Sequence, residues 1–126
     1  MKALLWALYL PAYAQLQVEV SIGYRHKPDL VALGSEGPLF WAEAGKVGKQ
    51  KLERMVKRFP RTRFAFAVWR SSPVSMIARI RRQSRGVRRQ GPVGVIAFPE
   101  DAATRFIRPQ GTIRVLHSDL TWQRLA

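Results

Sequence analysis

Residues 27–51, KPDLVALGSEGPLFWAEAGKVGKQK, decide how this chain folds. They contain two apolar runs, residues 30–33 and 39–44, separated by turn-forming residues at 34–37. Short apolar runs bounded by glycine and proline predict a strand, a turn and a second strand. The residues after the second run begin a helix, so we expect an antiparallel hairpin that leads directly into a helix.

Each strand of this predicted hairpin is associated with one carboxylate. Asp29 precedes the first strand, and Glu43 lies inside the second. Because neighbouring strands lie roughly 5 Å apart, a register that aligns the two residues lets both hold one divalent metal. Mg²⁺ or Mn²⁺ bound by hard oxygen ligands keeps positions open for water and a phosphate, as phosphodiester hydrolysis requires. Lys46 could then offset the charge that develops on the phosphate.

The residues of this predicted site resemble the motif of a known protein family. The Pro28-Asp29 pair, a glutamate one hairpin later and a following lysine resemble the signature of PD-(D/E)XK nucleases. Within that superfamily, the chain is similar to the YaeQ family over residues 4–69. The segments that carry this similarity are PDLVAL, FWAEAGK, GKQKLERMVKRF and RFAFAVW. The resemblance implies a single α/β domain over residues 1–126, with a three-layer restriction-endonuclease-like core and a mixed central β-sheet flanked by helices.

The same resemblance implies roles for individual residues. Asp29 and Glu43 would be the metal ligands and, with Lys46, the catalytic residues of a metal-dependent endonuclease that uses Mg²⁺ or Mn²⁺. Because many such nucleases cut two strands as dimers, the resemblance also raises a homodimer as a partner state.

The position of the lysine departs from the family pattern. That pattern is Glu-x-Lys, whereas Lys46 lies three residues after Glu43 and Gly45 stands at the expected lysine position. Residues i and i+2 of a strand share one face, so a regular strand would direct Lys46 away from the carboxylates. A bulge at Gly45 would turn Lys46 back toward the site. Alternatively, Lys49 or Lys51 would reach the site from the following helix.

Composition favours a polyanionic partner. The chain has 22 Lys and Arg against 8 Asp and Glu, a net charge of +14. Each phosphate that is neutralised releases counterions, so this imbalance favours nucleic acid, with DNA preferred over RNA. The alternative is a charge that only keeps a small protein in solution. The absence of cysteine excludes disulfides and thiolate metal sites, and it is compatible with a cytoplasmic location.

An arginine block follows the middle of the chain. It begins in the second half of a helix predicted over residues 73–85 and continues into the next loop, and it consists of Arg79, Arg81, Arg82, Arg85, Arg88 and Arg89. We predict that it contacts phosphates; the alternative is a solvated helix face. Two other functions compete with a nuclease. One is a non-catalytic DNA- or RNA-binding module, and the other is a basic subunit that binds an acidic protein partner.

The remaining segments give a coarse order of elements. The helix over residues 73–85 is expected to be capped by Ser72, with Val74, Ile77 and Ile80 facing inward and Met76 as a further candidate. Residues 63–69 and 94–98 read as parallel buried strands joined by that helix. No apolar run approaches the roughly 20 residues needed to span a membrane, so no membrane partner is expected. The remaining predictions are helices at 3–10 and 48–59, a short helical turn that begins at residues 99–101 and reaches toward residue 106 or 107, and strands at 17–22 and 112–116. His117 is expected to be structural, and neither His26 nor His117 has the spacing of a zinc site.

Overall fold

The computed structural model describes residues 1–69 and 73–125. Within them the chain forms an α/β fold, in which a mixed six-stranded sheet runs in chain order from β1 to β6. The strands are β1 (Gln17–Val18), β2 (Leu30–Gly34), β3 (Gly37–Ala44), β4 (Arg63–Trp69), β5 (Val93–Phe98) and β6 (Thr121–Arg124). The helices are α1 (Lys2–Tyr9), α2 (Lys49–Arg58), α3 (Val74–Ser84) and α4 (Ala102–Phe106), and a short 3-10 helix covers His117–Asp119.

The pairing of the strands explains how the chain crosses the sheet. β1, β2 and β3 are antiparallel neighbours, β3, β4 and β5 are parallel, and β6 returns antiparallel to β5. The two parallel pairs are connected through α2 and α3. Crossovers of one hand between successive strands place both helices on the same face of the sheet. The predicted hairpin and the predicted parallel pair of central strands are therefore confirmed.

Helices pack on both faces of the sheet. The buried side chains of α1 and α4 share an apolar cluster with Phe40 and Ala42 of β3. Those of α2 and α3 share a second cluster with Trp41 of β3 and Phe66 of β4. Successive side chains of a strand point to opposite faces, so β3 contributes alternately to the two clusters. None of the described helices is long and apolar enough to cross a membrane.

The first strand is much shorter than the sequence pattern predicts. The alternation over residues 17–22 predicts a six-residue strand, but β1 ends at Val18. Glu19 has a φ of +53°, a left-handed conformation that breaks the extended backbone. Val18 is 47% exposed, so its apolar side chain does not join the core. The prediction of a half-buried strand was wrong beyond Val18.

The C-terminal part also differs from the prediction. Residues 112–116 form no strand; within that segment an isolated bridge joins Ile113 to Ile107. The last strand is β6, which pairs with β5 over four positions. In α3, Met76 is buried, whereas Val74, predicted to face inward, is 68% exposed. The predicted cap of α3, Ser72, lies outside the described residues.

Candidate metal centre and basic surface

Glu43 is a carboxylate held inside the sheet. It lies near the carboxyl end of β3, two residues after Trp41, and therefore faces the α2 and α3 side. The residue is only 3% exposed. A buried carboxylate is costly unless it is paired and hydrogen-bonded. Its Oε1 accepts a hydrogen bond from the Lys51 ammonium at 2.5 Å, and its Oε2 accepts one from the Asp29 backbone N–H at 2.9 Å.

Asp29 makes the reciprocal contact. Leu30 pairs with Ala42 in the β2–β3 register, so Asp29 arrives beside Glu43 as the hairpin predicts. Asp29 Oδ2 accepts a hydrogen bond from the Ala44 backbone N–H at 2.8 Å. Each carboxylate thus binds a backbone N–H of the partner strand, and the two residues are brought together at the open end of the hairpin.

The lysine beside this pair comes from α2. Lys51 lies on the first turn of that helix and contacts Glu43. It is one of the two helix lysines that the sequence offered as alternatives to Lys46. Lys46 is exposed and lines a cleft with Arg79 instead. Gly45 explains why Lys46 lies at the cleft and not at the carboxylates. Its φ is +97°, and its N–H donates to Ala67 O at 2.9 Å. The strand pairing therefore continues to Gly45, after which the left-handed backbone turns Lys46 toward the cleft.

A second lysine, Lys2 of α1, lies beside Asp29. Lys2 Nζ lies 3.4 Å from Asp29 Oδ1 and donates a hydrogen bond to Glu19. The hydrogen bond to Glu19 is the largest cause that raises the pKa of Lys2, and the same bond lowers the pKa of Glu19. Nothing in the sequence spacing predicts this contact, because Lys2 and Asp29 are distant in the chain and meet only when α1 packs on the sheet.

His26 is the other nearby residue that the sequence reading did not assign to the site. Burial lowers its pKa most, and the positive charge of Lys51 lowers it further, while Glu43 raises it. A pKa below its usual value keeps this imidazole neutral at pH 7. His26 therefore adds no positive charge to the centre at neutral pH.

Asp29 and Glu43 carry oxygen donors of the type that hard divalent cations prefer. Mg²⁺ is commonly bound by one or two carboxylates together with water and substrate phosphate oxygens. Asp29 and Glu43 provide two such carboxylates on one pair of strands. Within residues 1–69 and 73–125, no three side chains of the Asp, Glu and His types are grouped closely enough to hold a metal by themselves. The remaining ligands would have to be water or substrate.

The arginine block divides into three groups in the structure. Arg79 is half-buried and donates to Val47 O at 2.7 Å, which ties α3 to the loop after β3. Arg89 donates to three backbone carbonyls near the end of α2, so its guanidinium supports the fold. The exposed members are Arg81, Arg82, Arg85 and Arg88.

Comparison with known proteins supports the fold. No protein-family model matches the chain, and no curated protein matches its sequence. Among solved structures, the YaeQ protein from Pseudomonas syringae matches with a TM-score of 0.55 at 20% identity, over 79% of this chain and 52% of that protein. The YaeQ protein from Xanthomonas axonopodis pv. citri matches with a TM-score of 0.52 at 16% identity, over 82% and 57%. The chain thus spans somewhat more than half the length of these proteins, and its fold is YaeQ-like.

Proposed function

We propose that this protein binds nucleic acid and hydrolyses phosphodiester bonds in it with the help of a divalent metal. The observation that carries this proposal is the reciprocal pairing of Asp29 and Glu43, with the Lys51 ammonium 2.5 Å from Glu43. The PD-(D/E)XK resemblance implies two carboxylates on neighbouring strands and a lysine beside them; here the carboxylates come from the hairpin and the lysine comes from α2. On this proposal the sheet, with helices on both faces, is a restriction-endonuclease-like three-layer core.

The roles of the residues follow from their chemistry. Asp29 and Glu43 would hold Mg²⁺ or Mn²⁺, which supplies Lewis-acid polarisation of the phosphodiester and activation of water. Lys51 would place a positive charge where negative charge develops on the phosphate in the transition state. We assign this role to Lys51 rather than Lys46, because Lys51 contacts Glu43 and Lys46 lines the neighbouring cleft.

Charge supports nucleic acid as the substrate. The net charge of +14 favours polyanions, and the exposed members of the arginine block, Arg81, Arg82, Arg85 and Arg88, present positive charge along α3 and the loop after it. Phosphate contacts position a nucleic acid without reading its bases, so we expect weak sequence preference. DNA, a homodimeric assembly and a cytoplasmic location remain parts of this proposal that rest on composition and on the resemblance.

A non-catalytic nucleic-acid-binding module is the second candidate. It is favoured by the contacts that Asp29 and Glu43 already make, since each carboxylate accepts a backbone N–H and lies against a lysine. Such contacts can lock the end of the hairpin without any metal. In that case the basic surface binds nucleic acid and the buried carboxylates only stabilise the fold.

Cleavage of labelled DNA and RNA, single-stranded and duplex, with Mg²⁺ or Mn²⁺ tests the proposal. Asp29→Asn and Glu43→Gln should abolish cleavage, and Lys51→Met should slow it about 10²- to 10³-fold, the usual loss when one stabilising donor is removed. Lys49→Met, at an exposed lysine on the same helix, is the matched control and should cleave at the wild-type rate.

Calorimetric titration with Mn²⁺ gives a readout that does not depend on turnover. We expect one binding event in the wild type and a loss of its heat in Glu43→Gln. Cleavage that persists in Glu43→Gln would contradict the assignment. Nucleic-acid binding with neither Mn²⁺ heat nor cleavage would establish the non-catalytic module instead.

A further inference from the structure

A cleft opens beside the carboxylate pair, at the carboxyl ends of the parallel strands β3 and β4. Its volume is about 280 Å³, close to the roughly 300 Å³ lower end of small-molecule sites. Ligands of open α/β sheets bind beyond the carboxyl ends of the strands, which is where this cleft lies. Its lining residues are Met1, Gly45, Lys46, Val68, Trp69, Ser75, Met76 and Arg79.

The cleft adjoins the candidate metal centre on two sides. Gly45 lines it and directly follows Ala44, whose N–H binds Asp29. Met1 also lines it and precedes Lys2, whose ammonium lies 3.4 Å from Asp29. A chain of phosphates passing through the cleft would therefore run next to the carboxylates.

The charged residues of the cleft select an anion. Among the described residues that line it, Lys46 and Arg79 carry cationic side chains and none carries a carboxylate. Arg79 is held in place because its Nη1 donates to Val47 O at 2.7 Å. Arg79 also begins the arginine block, so the cleft continues the exposed basic surface of α3 toward the carboxylates. Positive charge inside a concave site attracts phosphate more strongly than the same charge on a flat surface.

An aromatic ring also lines the cleft, and an apolar crevice adjoins it. Trp69 is 41% exposed, and its indole N–H donates to Pro99 O at 3.0 Å and to Glu100 O at 3.3 Å. These hydrogen bonds fix the plane of the ring. Met1 and Trp69 also line a crevice of about 70 Å³, whose other walls include Phe98, Ala103 and Ile107. A fixed aromatic face beside an apolar crevice suits a flat, apolar group.

We propose that this cleft binds one unpaired nucleotide of a single-stranded nucleic acid. Its phosphate contacts Lys46 and Arg79, and its base stacks on Trp69 at the mouth of the apolar crevice. A base can stack on a side chain only after it has left its own helical stack, so the site selects single strands or unpaired ends over intact duplex. The inference rests on the proposed function for the nucleic acid itself and adds the form of substrate that the site accepts.

Fluorescence anisotropy without metal tests this inference. The probes are a labelled oligothymidylate and a labelled duplex of the same length. Trp69→Leu should weaken binding of the single strand about tenfold, within the usual contribution of one stacked base, and should leave duplex binding unchanged. The matched control is Trp6→Leu, at a tryptophan of similar exposure, 38%, on α1, and it should bind both probes as the wild type does.

A second pair of variants tests the phosphate contact. Lys46→Ala should lower the salt slope of single-strand binding by about 0.7, the contribution of one phosphate on a single strand, whereas Lys49→Ala at an exposed lysine of α2 is the control. If Trp69→Leu does not fold, Trp69→Phe retains an aromatic face and should keep single-strand affinity within about threefold of the wild type.

Three results would overturn the inference: equal losses in Trp69→Leu and Trp6→Leu, a wild-type affinity in Trp69→Leu, or a greater loss for duplex than for single strand. Because the assay contains no metal and measures no cleavage, these results leave the hydrolysis proposal intact. Conversely, loss of metal-dependent cleavage in Glu43→Gln does not bear on the cleft.

Discussion

Arg89 is a member of the arginine block whose side chain supports the fold. Its guanidinium donates to Val56 O at 2.5 Å, to Phe59 O at 2.9 Å and to Thr62 O at 2.5 Å. It also lies 5.0 Å from the centroid of the Phe64 ring. Burial lowers its pKa to about 10, which leaves it charged at neutral pH. One cation thus satisfies carbonyls at the end of α2 and in the loop before β4.

The expected cost of Arg89→Met follows from these contacts. A hydrogen bond to a charged group contributes about 1.5–3 kcal/mol, so three would contribute at most about 9 kcal/mol. The net cost is smaller than this sum, because the guanidinium is itself partly desolvated in the folded protein. We expect a net loss of about 3 kcal/mol, which lowers the melting temperature by roughly 10 °C for a domain of this size.

Arg88→Met is the matched control, because Arg88 is the adjacent and exposed arginine. It should change stability by less than about 0.5 kcal/mol. It should lower the salt slope of duplex binding by about 0.9, the contribution of one phosphate. Urea unfolding followed by circular dichroism measures stability, and anisotropy across a salt series measures the slope. Equal destabilisation by Arg88→Met and Arg89→Met would refute the structural role of Arg89.

Four further outcomes follow from the structure. Gly91→Ala places a Cβ 2.2 Å from Thr62 O and should cost at least about 2 kcal/mol in urea unfolding, whereas Gly94→Ala, with 3.6 Å to the nearest backbone oxygen, should cost less than about 1 kcal/mol. Gly45→Ala, at a φ of +97°, should destabilise by about 1–2 kcal/mol through backbone strain in the same assay. Burial lowers the pKa of His117 below its ordinary 6.5, so the unfolded chain binds the proton first and stability should fall as pH drops below 6.5; urea unfolding across pH should show a smaller fall in His117→Gln. Finally, Mn²⁺ should bind more tightly when a non-cleavable oligonucleotide is present, as calorimetry would measure; an unchanged affinity would contradict coupling between metal and phosphate.

The central elements could be predicted from sequence because several local signals agree there. β4 was predicted at its observed bounds, since RFAFAVW is almost wholly apolar and buried on both faces. α2 was predicted within one residue at each end, because its buried residues recur at helical spacing and Pro60 follows. Agreement between pattern, propensity and breakers is what specifies one local structure.

The edges of the sheet could not be predicted in this way. The alternation after Val18 has the correct period, but edge pairing depends on a partner strand that begins only at Leu30. The last strand follows a 3-10 helix and an isolated bridge, whose contacts are distant in sequence. Strand preference is set by the neighbouring strand as much as by the residue itself, so a pattern alone does not locate an edge strand.

The candidate site was partly predictable for a similar reason. The hairpin predicts that the two strands pair, but the register shifts between Ala32 and Leu33, and it is the register beyond this shift, with Leu30 opposite Ala42, that brings Asp29 to Glu43. The position of the lysine could not be predicted in the same way, because it depends on how the chain passes from β3 into α2. Gly45 turns the chain after its last strand hydrogen bond, and the first turn of α2 then brings Lys51 over Glu43. Sequence proposed three lysines, and only the packing of α2 distinguishes among them.

On the proposed function, the charges around Asp29 and Glu43 would make binding of the metal depend on binding of the substrate. Lys51 Nζ lies 2.5 Å from Glu43 Oε1. Lys2 Nζ lies 3.4 Å from Asp29 Oδ1 and also binds Glu19, so each carboxylate of the pair already has an ammonium group beside it. A divalent cation entering alone would meet these two positive charges as well as the carboxylates, and a doubly charged ion about 4 Å from one ammonium group is repelled by roughly 8 kcal/mol at the effective dielectric near a protein surface. A phosphodiester entering with it contributes negative charge that offsets part of this repulsion and gives the lysines a new partner. On the proposed function, the nucleic-acid backbone would therefore form part of the metal site, and Lys2 and Lys51 would pair with the carboxylates until it arrives.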